Sequence, residues 1–329
     1  MFRATRVLTR PFLPQSAHLY RHARYSSSST PSTLTPVPGL DLSHERLRRT
    51  VFYVPCSEER KIQKSLATQA DCVMYDLEDG VSHNRKTHAR TLVTHALSAC
   101  RARERGVRIN AVGSGLEQED LDVILQAPQL DVILVPKVQS PKDIHYVSRR
   151  LGEAGRRVRI IAGIETARGL LNVRAIAEAD PCVDALLFAA EDYCADTGIT
   201  RTRTRKELYY ARSVVVNTAH AFRMQAIDMV TMDLRDPRVL EEEAREGVVM
   251  GFTGKQVIHP GQVDVVQRLF APQPETVDRA VRIVDGYQKH YVAGKGAFDL
   301  DGMAVDMPVV KWAYRVLYRA ELAGVNAAQ

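Results

Sequence analysis

Val158-Arg-Ile-Ile-Ala-Gly-Ile-Glu165, a helix-patterned stretch over residues 168–178, and Ala185-Leu-Leu-Phe-Ala-Ala190 leading into Glu191-Asp192 make up the passage that decides the fold. Both short runs are apolar on both parities, as a strand covered on its two faces must be. Both are shorter than an ordinary buried helix. A strand, a helical segment and a second strand form the repeating unit of a parallel sheet. Each run also leads into carboxylates.

The same rhythm extends outward. Strand-like runs fall at residues 51–55, 72–76, 107–110, 131–136, 158–165, 185–190, 226–232 and 255–259, with amphipathic stretches between them. Leu116, Leu121, Ile124 and Leu125, for example, recur at helical spacing. Eight such units within roughly 220 residues predict an α/β fold of the (β/α)8 TIM barrel type. An open doubly wound sheet would want a glycine-rich first turn. Tyr53-Val-Pro-Cys-Ser57 offers none. Beyond the eighth strand, residues 274–292 read as a helix, 294–306 as an extended or hairpin segment and 308–322 as a last helix. This C-terminal helical/hairpin extension exceeds what a barrel needs and is a candidate lid or subunit-exchange element. The expected organisation is a leader over residues 1–40, a barrel over 41–270 and an extension over 271–329.

Of the 329 residues, 45% are hydrophobic and 26% charged, which excludes wholesale disorder. No apolar run is long enough for a membrane-spanning helix. The formal charge of +6 is misleading, because Arg3, Arg6, Arg10, Arg21 and Arg24 lie in a leader that holds no lysine or acidic residue. The body is nearly neutral and argues for neither nucleic acid nor an anionic membrane as partner. An Arg-rich, Ser-rich, acid-free leader has the composition of a mitochondrial transit peptide, with Arg24-Tyr25-Ser26 resembling a processing site. The expected location is the mitochondrial matrix. Five cysteines without a C-x-x-C suggest reduced thiols rather than a disulfide framework or a zinc site.

In a barrel all strand C-termini face one mouth. Here they carry Tyr53, Asp76 with Glu78 and Asp79, Arg108 with Asn110, Lys137, Glu165, Glu191 with Asp192, Asp233 with Arg235, and His259. Carboxylates crowded at one rim repel one another, and a divalent cation relieves that. Oxygen donors without a His/Cys cluster select a hard ion, Mg2+ or Mn2+. Glu165 and Asp192, from adjacent strands, are the expected ligands. Arg108, at an inward position, suits a substrate carboxylate, or else pairs with Asp76 or Glu78. Arg60 and Lys64 share one face of the first helix, as a solvated basic face or a phosphate contact. Gly251-Phe-Thr-Gly-Lys255 is not a nucleotide-binding loop. It lacks the four-residue spacer, and Gln256 stands where Ser or Thr is needed.

Asp76-Leu-Glu-Asp-Gly80, Val135-Pro-Lys-Val138, Ile164-Glu-Thr-Ala-Arg-Gly169, Glu191-Asp192 and Met250-Gly-Phe-Thr-Gly-Lys-Gln-Val-Ile-His-Pro260 resemble the citrate lyase beta-subunit family, within the malyl-CoA lyase and hydroxy-diacid aldolase group. Gly294-Lys-Gly-Ala-Phe298 and Val305-Asp-Met-Pro308 extend the likeness. The resemblance implies a TIM barrel, a homotrimer, Mg2+ and a CoA-thioester substrate. It implies retro-Claisen cleavage of citramalyl-CoA to pyruvate and acetyl-CoA, with malate synthase or malyl-CoA thioesterase side activity. Malyl-CoA or methylmalyl-CoA cleavage and CoA-independent aldol cleavage of hydroxy-diacids are the alternatives. By position, Glu165 and Asp192 match metal ligands, and Arg108 matches the contact to the substrate carboxylate. Tyr53, Arg60 and Lys64 match residues near CoA, and Ile258 and His259 a backbone stretch beside the substrate. Asp306 matches a catalytic aspartate that in this family can reach a neighbouring subunit's mouth. Cys56 stands where relatives usually have glycine, and Arg60 where they often have lysine.

Overall fold

The computed structural model describes residues 37–292 and 296–326. The expected transit peptide therefore lies outside the described residues, apart from 37–40. Eight parallel strands, β1 (Thr50–Pro55), β2 (Cys72–Asp76), β3 (Glu104–Arg108), β4 (Val132–Val135), β5 (Arg159–Ile164), β6 (Val183–Phe188), β7 (Gln225–Asp228) and β8 (Gly254–Val257), pair in chain order. β8 returns to β1, with Thr50 opposite Lys255, and closes the barrel. The helices of the outer ring are α1 (Glu59–Ser65), α2 (Lys86–Ala99), α3 (Glu117–Ile124), α4 (Pro141–Glu153), α5 (Ala167–Leu171), α6 (Val173–Glu178), α7 (Ala190–Thr197), α8 (Tyr209–Ala221), α9 (Pro237–Met250) and α10 (Val263–Phe270). The extension is α11 (Pro274–Val292), a hairpin of β9 (Phe298–Leu300) and β10 (Met303–Val305), and α12 (Met307–Ala323). Among the described residues no helix is long and apolar enough to cross a membrane.

Side chains alternate along each strand, so each strand feeds two cores. Val51, Cys72, Met74, Val132, Leu134, Ile161, Ala185, Leu187 and Ile227 fill the barrel interior, with Tyr53. Phe52, Val73, Tyr75, Ile133, Ile160 and Phe188 point outward against Val93, Leu97, Leu121, Ile144 and Val147 of the helices. The same parity sets Asp76, Arg108 and Glu165 inward at the C-terminal ends of β2, β3 and β5.

The N-terminal end of the barrel is closed by charge. Arg48 is fully buried and grips Glu104 (2.6 Å) and Asp184 (3.1 Å), and Arg159 reaches the same two carboxylates at 3.1 and 3.3 Å. Burial alone would raise the Glu104 pKa, but the Arg48 and Arg159 charges overcome that and hold it at about 2.

The extension has its own small core, built from Ala280, Ile283, Val284, Tyr287, Val305, Val310, Ala313 and Tyr314. It sits at the closed end. Arg319 of α12 pairs with Glu45, which precedes β1, at 3.1 Å. A cavity of about 520 Å³ separates Trp312 and Arg315 from His44, Met224 and Gln225.

Several element boundaries differ from expectation. The stretch over residues 168–178 is two helices, because Asn172 leaves helical geometry and donates to the Gln139 carbonyl (2.8 Å). β3 starts earlier, at Glu104, and ends at Arg108. β7 ends at Asp228, four residues short of the predicted end. Glu191 and Asp192 do not end a strand but begin α7.

Candidate active site at the C-terminal mouth of the barrel

Glu165 follows β5 at an inward position and is 1% exposed. Its Oε2 is buried without a hydrogen-bond partner. Burial, with Glu78 and Asp192 adding repulsion, pushes its pKa up to about 8. The side chain has room because residue 163, also inward, is glycine. A Cβ there would lie 2.5 Å from Glu165 Oε1 and 3.1 Å from the Val135 carbonyl.

Arg108 sits at the centre of the mouth and realises the ion-pair alternative. It donates twice to Asp76, at 2.7 Å each, and reaches Glu78 at 2.9 Å. Its guanidinium lies 4.9 Å from the centre of the Tyr53 ring, and burial raises the Tyr53 hydroxyl above its ordinary range. Asp76 also accepts from the backbone of Glu78 and Gly80, at 2.8 Å each, folding Asp76-Leu-Glu-Asp-Gly80 back over the rim. Burial would raise the Asp76 pKa, but Arg108 and these donors hold it below the usual carboxylate range.

Lys137 follows β4 with a left-handed backbone, φ 51°. Its Nζ lies 2.5 Å from Glu78, 2.6 Å from Asp79 and 3.5 Å from Asp192. Burial works against its charge, yet Asp79 and Glu78 hold it above the ordinary lysine range. The sequence places Lys137 at a strand end but does not reveal this bridging position, because the backbone geometry that creates it has no sequence signature.

Asp192 is half-buried in the first turn of α7. The neighbouring Glu191 pairs with Arg201, which also bonds Glu243 and the Val230 carbonyl. Arg60 and Lys64 are exposed on α1, and neither is in an ion pair among the described residues, whereas Lys61 pairs with Glu58. The backbone N–H groups of Ile258 and His259 both donate to Gln262 Oε1, and the His259 ring accepts from the N–H of Gly261. Cys56, which stands where relatives usually have glycine, is fully buried in the outer core.

Three of the expected residues are not shown in contact with this cluster. Asn110 does not share the direction of Arg108, because Lys86, Asp120 and the Leu77 carbonyl hold it against the helix layer. Asp233 does not end a strand but caps an exposed turn, accepting from the N–H groups of Arg235 and Asp236. Asp306 caps α12, accepting from Val309 at 3.4 Å, and belongs to the extension at the closed end. The mouth of its own barrel is on the opposite face.

The donor set of the mouth is oxygen only. Among the described residues no three His, Cys, Asp or Glu side chains converge as a ready cage. Mg2+ suits such a site, since it takes one or two carboxylates and completes its octahedron with water and substrate oxygens. Two buried carboxylate oxygens of the mouth lack a hydrogen bond, Glu78 Oε2 and Glu165 Oε2; Arg108 faces the first at 2.9 Å, so the second is the donor that fits this description.

The family described as HpcH/HpaI aldolase/citrate lyase matches residues 49–260, the barrel itself. The mitochondrial citramalyl-CoA lyase of Mus musculus is 41% identical over 287 residues, covering 82% of this chain and 85% of the mouse protein. Citrate lyase subunit beta of Escherichia coli K12 is 32% identical over 290 residues, covering 85% and 96% of the two chains. The crystal structure of protein CitE from Mycobacterium tuberculosis, in complex with magnesium, acetoacetate and coenzyme A, superposes with a TM-score of 0.70 at 30% identity. It covers 83% of this chain and 98% of that one.

Proposed function

The chain belongs to the HpcH/HpaI aldolase/citrate lyase family, and from that premise we propose that it is a mitochondrial, Mg2+-dependent carbon–carbon lyase that cleaves citramalyl-CoA to pyruvate and acetyl-CoA. The observation that carries this reading is Glu165, a buried carboxyl with an unpartnered oxygen at the barrel mouth. Its repulsion from Asp192 would be relieved by a shared cation. The 41% identity to a citramalyl-CoA lyase supports the choice of substrate. The magnesium and coenzyme A in the complex of CitE support the cofactor and the thioester class.

Glu165 and Asp192 would hold the ion, which when bound supplies Lewis acidity toward the carboxylate and hydroxyl oxygens of the substrate. Arg108 keeps its face above Tyr53 and offers positive charge to the substrate carboxylate. In the cleavage the hydroxyl gives its proton to a solvent water and becomes the ketone of pyruvate. The bond between the carbinol carbon and the carbon next to the thioester breaks, and its electron pair enters the thioester enolate. Asp306, delivered by a neighbouring subunit of a homotrimer, gives that carbon its proton to form acetyl-CoA. Arg60 and Lys64 would steer the phosphates of CoA from the rim. Run in reverse with glyoxylate, the same groups would form malyl-CoA, and hydrolysis of its thioester would account for malate synthase activity.

The test is turnover of citramalyl-CoA and of malyl-CoA with Mg2+, read as pyruvate and glyoxylate, with chelator and Asp306→Ala controls. Chelator-sensitive pyruvate release, faster than glyoxylate release and lost in the variant, is the expected result. Faster glyoxylate release would reassign the substrate to malyl-CoA. No turnover of either thioester would refute the CoA-lyase reading.

A further inference from the structure

The ammonium of Lys137 bridges carboxylates from two separate segments of the mouth. Glu78 and Asp79, on the turn after β2, lie 2.5 and 2.6 Å from Nζ, and Asp192, on α7, lies 3.5 Å away. The reach depends on the backbone. Val135-Pro-Lys places Lys137 immediately after a proline, and its left-handed φ of 51° is a conformation that residues with a Cβ seldom adopt. The side chain is 29% exposed, so the contact is neither crushed into the core nor an ordinary surface pair. Arg108, another cation of the mouth, is shown in contact with Asp76 and Glu78 and not with Asp192. Lys137 is therefore the only cation shown in contact with Asp192 among the described residues.

Asp192 thus serves two cations if, as in the reading above on which this inference rests, it is also a ligand of the divalent ion. We infer that Lys137 is a built-in counter-ion of the metal site, which shares Asp192 with the metal and sets how weakly the metal is held. Its positive charge raises the cost of placing a second cation at Asp192. Its grip on Glu78 and Asp79 keeps those two carboxylates from recruiting the ion to the wrong side of the mouth. The residue is a positioning one. Its work is to keep metal affinity modest and the ion centred between Glu165 and Asp192, where substrate oxygens can complete the coordination.

The experiment measures Mn2+ affinity of the full chain, by the electron paramagnetic resonance signal of free Mn2+, without substrate or turnover. Lys137→Met removes the charge and keeps the length. Lys137→Gln removes the charge and keeps a donor for Glu78, and it carries the same expectation should the methionine variant fold poorly. Lys137→Arg keeps the charge. The expected result is that Mn2+ binds about tenfold or more tightly to the two neutral variants, as loss of a nearby like charge requires. The arginine variant should stay close to wild type. Unchanged or weaker binding in the neutral variants overturns the counter-ion role. Asp192→Asn and Glu165→Gln separate the two claims. If both bind Mn2+ as wild type does, the metal site is elsewhere and the inference falls with it. If both bind weakly while the lysine variants are unaltered, the site stands and only the role of Lys137 falls.

Discussion

Asp306 lies on the wrong side of its own barrel to act at its own mouth. Arg319 of the same helix is anchored to Glu45, ahead of β1, and Trp312 and Arg315 line the cavity at the closed end. A six-residue strand spans about 20 Å, further than an aspartate side chain reaches. If Asp306 is the acid/base, it must be donated to another subunit. The perturbation is a mixture of Asp306→Ala and Glu165→Gln chains, co-expressed under two different tags and purified for oligomers carrying both. Asp306→Ala alone should lose about 10²-fold or more, since general acid–base catalysis is worth that much, and Glu165→Gln alone, which removes a proposed metal ligand, should be nearly inactive as well. In a cyclic trimer that passes its tail to the next subunit, a mixed ring of either composition holds one mouth with intact Glu165 facing an intact Asp306. The mixed oligomers should therefore recover roughly one third of wild-type turnover per chain. If Asp306 served its own mouth, every mouth in the mixture would lack one group. Mixed oligomers as inactive as the parents would refute donation between subunits. An Asp306→Ala chain with near-normal turnover would refute the acid/base role itself.

Glu104→Gln should destabilise the barrel by about 3 kcal/mol near neutral pH, because it leaves Arg48 buried with only Asp184 opposite. Since folding lowers the Glu104 pKa from 4.5 to about 2, its contribution is complete above the first value and is lost as pH falls toward the second. Urea denaturation should find the wild-type advantage constant between neutral pH and about 5 and shrinking below; an advantage that persists undiminished in acid would rule out this linkage. Gly163→Ala should weaken Mn2+ binding by about tenfold with a stability cost of about 1–3 kcal/mol, since its methyl would press on Glu165 and the Val135 carbonyl. Unaltered metal affinity in a folded variant would show that the cradle is not needed. Arg60→Ala with Lys64→Ala should raise KM for the CoA thioester by about tenfold and leave kcat alone. An equal effect on a short thioester without the CoA phosphates would contradict phosphate steering.

How far the site can be read from residues depends on which contacts make it. Glu165 is legible because it ends an apolar strand at the C-terminal face of a barrel, on the parity of Ile161 and Gly163. Asp192 is legible as a carboxylate of the mouth but not as part of a helix, since Ala189-Ala190 continues an apolar run that gives no stop signal. Arg108 leaves two readings, and only the structure shows that it is paired with Asp76 and Glu78. Asn110 defies the alternation rule because that rule ceases to hold once a strand ends, and β3 ends at Arg108. The bridging by Lys137 and the part played by Gln262 are not legible at all. One depends on a left-handed backbone, and the other on a side chain turned back toward its own strand.

The amino-acid sequence by itself determined the eightfold βα rhythm, the two-sided burial of the strands and the crowding of carboxylates at their C-terminal ends. These follow from local periodicity and from the rule that parallel strands share a direction. The tertiary structure alone decided which carboxylates are neutralised, by Arg108 and Lys137, and that Glu165 keeps a buried oxygen with no hydrogen bond and no ion pair shown. It alone set Asp306 beneath the barrel rather than over it. Those outcomes rest on distances between residues far apart in the chain. Electrostatic pairing acts through space over a few ångströms and leaves no period in the sequence.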